Sequence, residues 1–229
     1  MSETIEFTRP DGQRAPGYFT TDASVSDAPG VVMIEEWWGV TDTIQQMADK
    51  LANAGFRVLV PDLFRGRKAV VPDEANHLVE GLDFGDAANQ DIRGAVQYLK
   101  STGSKKVAVL GFCMGGALAL LAAMHDPEID AVVTFYGVTP PEAGDVGKIA
   151  VPVQGHWAEH DDFASPQAVS RIEARFKEAG VSHEFYRYDA KHGFNNPNPI
   201  GQAGLGNYDE AADTQSWSRA IDFLRKQLQ

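Results

Sequence analysis

Two periodicities alternate along this chain. Thr4–Arg9 and Ala15–Thr20 read as β-like stretches, separated by the turn residues Pro10-Asp11-Gly12. Val31–Ile34 is a short apolar run rich in β-branched residues and predicts a buried strand. Ile44, Met47, Ala48 and Leu51 then recur at helical spacing, with Gly55 as the stop. Phe56–Val60 reads as the next strand, closed by Pro61. Ala88, Ile92, Val96 and Leu99 mark a helix, Val107–Leu110 a strand, and Gly115–Met124 a very apolar helix. Ala131–Phe135 and Val151–Gln154 read as buried strands. Ser165-Pro166 supplies an N-cap and a first-turn proline to a helix carrying Val169, Ile172, Phe176 and Ala179, which Gly180 ends. His183–Tyr188 is a strand, and Trp217, Ala220, Ile221, Leu224 and Leu228 give a closing helix. Strands alternating with helices predict an α/β fold with a mostly parallel central sheet and helices on both faces. Ligands in such sheets bind beyond the carboxyl ends of the strands.

Composition narrows this picture. The length of 229 residues suits one large α/β domain, and no repeat, low-complexity tract or long polar linker divides it, so residues 1–229 are expected to form a single domain. An apolar fraction of 43% is ordinary for a chain that buries a real core. The excess of 32 acidic over 20 basic residues argues against nucleic acid or an anionic membrane as partner. No run approaches the roughly 18 apolar residues of a membrane span. The opening residues Met-Ser-Glu-Thr-Ile-Glu lack a basic region followed by an apolar run, and a single cysteine cannot form an internal disulfide. The expectation is a cytoplasmic protein, monomeric or a small homo-oligomer, acting on a small molecule.

The candidate chemistry centres on that cysteine. The strand Val107–Leu110 leads into Gly111-Phe112-Cys113-Met114-Gly115-Gly116, and a helix follows at once. A nucleophile on so tight a turn needs small neighbours two residues to either side, because a side chain there would strike the adjacent strand or helix. The Met114 N–H can point at a developing oxyanion, and the positive end of the helix favours an anionic sulfur. A lone cysteine is usually a buried apolar residue; the strand–turn–helix context makes a nucleophile the better reading.

A base and an acid follow in the order this arrangement needs. Past the strand Val151–Gln154 come Glu159, Asp161 and Asp162, any of which can serve as the acid. Past Tyr188 comes His192 beside Gly193, placed to take the thiol proton and return it to a leaving group. Loop aspartates are mostly caps or solvated charges, so the ordered set carries the argument. His156 and His160 would need a helix to bring both rings to one metal, and they fall in a predicted loop, so no metal or cofactor is expected. Glu35 and Glu36 directly follow a strand. Adjacent acids there point in different directions, so one can face the site; the alternative is a surface acid pair beside two packing indoles.

Together these residues resemble the dienelactone hydrolase family, carboxymethylenebutenolidase-like enzymes of the α/β-hydrolase fold. The motifs are Glu35-Glu36-Trp37-Trp38-Gly39-Val40, Pro61-Asp62-Leu63-Phe64, the cysteine elbow, Phe135-Tyr136-Gly137, His156 through Phe163, and His192-Gly193-Phe194. The resemblance implies a Cys113, His192, Asp161 triad, with Asp161 preferred over Asp162. It also implies a Glu36 that interacts with the thiol, and an oxyanion hole from the backbone N–H groups of Trp37 and Met114. The implied activity is cleavage of carboxylic ester or lactone bonds through a thioester. The family's enzymes look to hold a substrate carboxylate with arginines, one a few residues past the histidine. This chain has Phe194-Asn195-Asn196-Pro197 there, leaving Arg65 and Arg67 as the nearest candidates. Trp37, Trp38, Trp157, Phe163 and Phe194 together suggest a more aromatic pocket, while any single one of them reads as ordinary packing. A dehalogenase would place aspartate at the elbow. A non-catalytic binding or redox-sensing protein would need a reactive Cys113 but no His192.

Overall fold

A strand covered by helices on both faces is apolar throughout rather than alternating, and five strands here are buried at every position. The computed structural model describes residues 1–22 and 27–229. Its strands are β1 (Ser2–Thr8), β2 (Arg14–Thr21), β3 (Gly30–Ile34), β4 (Arg57–Pro61), β5 (Val107–Phe112), β6 (Ala131–Phe135), β7 (Val153–Ala158) and β8 (His183–Tyr188). They form one sheet in the order β1-β2-β4-β3-β5-β6-β7-β8. The strands from β3 to β8 run parallel, while β1 and β2 form an antiparallel hairpin joined antiparallel to β4.

The helices are α1 (Asp42–Asn53), α2 (Pro72–Glu80), a single turn α3 (Phe84–Asp86), α4 (Arg93–Ser101), α5 (Met114–Ala123), α6 (Pro166–Ala179) and α7 (Glu210–Leu228). One core layer joins α2, α4, α5 and α6 to the sheet through Leu78, Val96, Leu118 and Ile172. The other joins α1 and α7 to the opposite face through Ile44, Leu51, Trp217 and Phe223. The caps read in the sequence form: Ser165 Oγ accepts from the Ala168 N–H, and Gly180 closes α6 in the left-handed region at φ 70°. No helix among the described residues is long and apolar enough to cross a membrane.

Three elements depart from the sequence expectation. The strand expected at Val151–Gln154 forms instead as β7, Val153–Ala158, so Gly155, His156, Trp157 and Ala158 belong to the sheet rather than to a loop. Burial of His156 is supported by Tyr188 Oη at 2.8 Å and Gln154 Oε1 at 3.0 Å. The helix expected from Ala88 to Leu99 enters through a π-turn, Ala87–Ile92, before becoming α4. Buried Asp91 sits in that turn and pairs with Arg9 at 3.3 Å and Arg65 at 2.7 Å. Helix α2 lies in a stretch to which the sequence pattern assigns no element.

Candidate active site

The elbow joins β5 to α5 at the centre of the sheet. Cys113 is held at φ 55°, ψ −117°, a conformation that costs a non-glycine residue roughly 1–3 kcal/mol. Its N–H donates to Phe135 O at 2.9 Å, fixing the turn to the end of β6. A Cβ at Gly111 would strike the Gly115 carbonyl, and one at Gly115 would strike the carbonyls of Ile34 and Glu35. Both collisions are with backbone, so both positions require glycine for space.

Two further strand ends meet this turn. Beyond β7 and β8, Glu159 N–H donates to Tyr188 O and His160 N–H to Ala190 O, which carries the two loops side by side past the sheet. Asp161 and His192 are thereby brought together with Cys113. His192 Nε2 lies 3.0 Å from Cys113 Sγ, and His192 Nδ1 lies 2.8 Å from Asp161 Oδ2. Asp161 Oδ1 accepts the N–H groups of Phe163 at 2.8 Å and Ala164 at 2.7 Å, so the carboxylate cannot turn away. Asp162 and Glu159 are exposed. Burial alone would depress the His192 pKa, but the charge of a Cys113 thiolate and the Asp161 carboxylate outweigh it and raise the imidazole to about 10. The N–H groups of Trp37 and Met114 have no hydrogen-bond partner among the described residues.

Glu36 is buried beside this chain but bonded elsewhere. Its Oε2 accepts from Asn196 Nδ2 at 2.6 Å and its Oε1 from Tyr136 Oη at 3.3 Å. The expected contact with the thiol is therefore not formed: two donors already hold the carboxylate. Burial raises its pKa, opposed by Asn196, His192 and Tyr136. Glu35 points the other way, accepting from the Leu63 N–H at 3.1 Å. Its carboxyl is pushed well above the usual range by burial and by the charge of Asp62.

Asn196 and Tyr136 are site neighbours that carry no role in the sequence reading. Tyr136 is buried at φ 41° with its ring 4.9 Å from that of His192. Tyr136 lies in the Phe135-Tyr136-Gly137 motif of the resemblance, and Asn196 in the loop past His192.

The remaining candidates fall outside the site. Arg65 is held by both oxygens of Asp91 and by Asp62 O, and Arg67 Nε donates to Phe64 O. His160 is exposed and pairs with Asp189 at 2.7 Å, far in character from buried His156. Of the five aromatics, Trp38, Trp157 and Phe194 are core residues. Trp37 and exposed Phe163 stay near the site, their rings 6.1 Å apart, with Phe163 4.8 Å from His192.

Comparison with known proteins agrees with this architecture. The chain is 31% identical to the protein usf of Aquifex pyrophilus and 29% identical to a putative carboxymethylenebutenolidase of Aquifex aeolicus, each alignment covering 100% of both proteins. Among solved structures it is similar to a dienelactone hydrolase-like promiscuous phosphotriesterase from metagenomic libraries, with a TM-score of 0.87 and 26% identity over 100% of this chain and 99% of that one. A putative dienelactone hydrolase from Klebsiella pneumoniae shares the fold at a TM-score of 0.84 and 22% identity, over 98% and 99% of the two chains. The family model described as the dienelactone hydrolase family matches residues 15–228, and the chain belongs to that family.

Proposed function

We propose that this protein hydrolyses small carboxylic esters or lactones with Cys113 as nucleophile, His192 as base and acid, and Asp161 as the group that orients it. The observation that carries the reading is the continuous chain from Cys113 Sγ through His192 to Asp161 at 3.0 and 2.8 Å, set on a strained turn at the strand ends.

The chemistry follows from these contacts. The sulfur passes its proton to His192 and attacks the carbonyl carbon. The oxyanion is received by the N–H groups of Trp37 and Met114. Collapse breaks the bond to the alcohol oxygen, which takes the proton from His192 and leaves a thioester on Cys113. Neutral His192 then removes a proton from water, the hydroxide attacks the thioester, and the carboxylic acid leaves with the thiolate and imidazolium restored. Asp161 keeps the imidazole proton on Nδ1, so Nε2 faces the sulfur. Glu36 supplies a buried negative charge near His192 that favours the imidazolium. No metal or cofactor enters any step.

The test is turnover of p-nitrophenyl acetate and of a dienelactone by the wild type and by Cys113→Ala, with mass spectrometry of the quenched wild type. Burst release with an acyl adduct on Cys113, lost in Cys113→Ala, is the expected result. Full activity in Cys113→Ala would overturn the reading.

A further inference from the structure

A second recess opens beside the site loops and shares no lining residue with the triad. It lies between the segment leaving β6 and one face of α6, with a volume of about 210 Å³. Val138, Pro140, Pro141 and Ile172 give it apolar walls, and Arg171 and Arg175 stand one helical turn apart along it. Arg175 gives one N–H to Gly144 O at 2.7 Å, leaving its other donors free. Arg171 makes no hydrogen bond or ion pair among the described residues.

Thr139 supplies an independent observation. It lines the same recess at 6% exposure, and its Oγ1 is buried without any hydrogen-bond partner. A buried hydroxyl left unpaired is unfavourable and is normally satisfied. The recess thus offers two guanidinium edges above apolar walls, with an unpartnered hydroxyl, able to donate, buried in its lining. A carboxylate is acceptor-only and takes guanidinium N–H groups in pairs. The walls suit a compact hydrocarbon body, and the volume limits it to a few carbons or one ring.

We propose that this recess binds a small carboxylate with a compact apolar body. The inference stands apart from the hydrolase reading, because it needs neither Cys113 nor turnover. The carboxylate has two sources: a free acid, such as an ester hydrolase releases, or the second carboxylate of an acidic ester substrate.

The experiment is calorimetric titration of benzoate and butyrate into protein whose Cys113 has been alkylated, so that binding at the nucleophile is blocked. Binding is expected in the wild type and weakened by about tenfold or more in Arg171→Ala, an exposed position that leaves the core intact. Thr139→Val should also weaken it while raising the Tm of the free protein by about 2–4 °C, because it removes the unpaired hydroxyl. That pair of opposite effects is one a merely structural threonine would not give. Absence of benzoate binding, equal binding by Arg171→Ala, or inorganic phosphate bound as well as benzoate would overturn the proposal. In unmodified protein, a KM increase in Arg171→Ala confined to mono-p-nitrophenyl glutarate, with p-nitrophenyl butyrate unchanged, assigns the carboxylate to the substrate. Unchanged KM for both, with benzoate binding intact in the wild type, assigns it to the free acid.

Discussion

Replacing Asp161 by asparagine exchanges one carboxylate oxygen for an NH2 group, and the structure dictates which one. Oδ1 accepts two backbone N–H groups, from Phe163 at 2.8 Å and Ala164 at 2.7 Å, so an amide nitrogen cannot sit there. The asparagine must keep its oxygen in that position and turn its NH2 toward His192 Nδ1, now 2.8 Å from Oδ2. An NH2 donates, so Nδ1 must become the acceptor and the ring proton must move to Nε2. Nε2 faces Cys113 Sγ at 3.0 Å, and a protonated, uncharged ring there can no longer receive the thiol proton. The same tautomer fault in a serine protease triad costs about 10⁴ in kcat, equivalent to about 5.5 kcal/mol of barrier. Cysteine depends less on its base, so the expected loss in the acylation rate is about 10³–10⁴. Asp162, exposed and without a contact to the imidazole, should lose less than about twofold on the same change. The assay is stopped-flow release of p-nitrophenolate, normalised to thiol titre, with thermal melts to verify folding. A loss under tenfold in Asp161→Asn, or a larger loss in Asp162→Asn, would refute the reasoning.

Three further outcomes follow from the geometry. With the imidazole raised to about 10, the imidazolium persists in the folded protein below that pH and is lost above it. The acylation rate should therefore stay level between pH 7 and 9 and fall near pH 10, as a property of the Cys113–His192 pair; a fall centred near 6.5 would contradict it. Gly115→Ala would drive a Cβ into the carbonyls of Ile34 and Glu35, and should destabilise the protein by more than about 3 kcal/mol in urea titrations. Asn196→Ala removes the 2.6 Å donor from buried Glu36 and should cost about 1–3 kcal/mol. The rise in the Glu36 pKa should grow in that variant, measurable as a shifted acid limb of activity.

What the sequence revealed of this site follows from how local each constraint is. The elbow is readable because its demands fall within five residues: a strained nucleophile needs glycine at 111 and 115, and the structure shows the backbone those glycines spare. Strand and helix order is readable because burial on both faces writes continuous apolar runs. The end of β7 was missed because Gly155-His156-Trp157 resembles a loop until Tyr188, 32 residues later, provides the partner that lets His156 be buried. Asp91 in the π-turn is paired with Arg9, 82 residues away. The partners of Glu36 lie 100 and 160 residues along the chain, and neither Tyr136 nor Asn196 advertises the contact. Aromatic residues were over-assigned to the site because proximity in sequence to a site loop does not say whether a ring faces solvent or core, as Trp37 and Trp38 show.

The strand order has a consequence for how the protein comes into being. Synthesis runs from the N-terminus, and the central strands β3, β4 and β5, with the elbow, are complete while roughly half the chain is still unmade. The proposed base, His192, arrives only after β8, a strand at the rim of the sheet that pairs with β7 alone. A ribosome-bound or truncated chain ending before residue 192 thus contains the cysteine without the imidazole proposed to draw its proton. On the proposed mechanism, hydrolytic activity therefore waits for the last sixth of the chain.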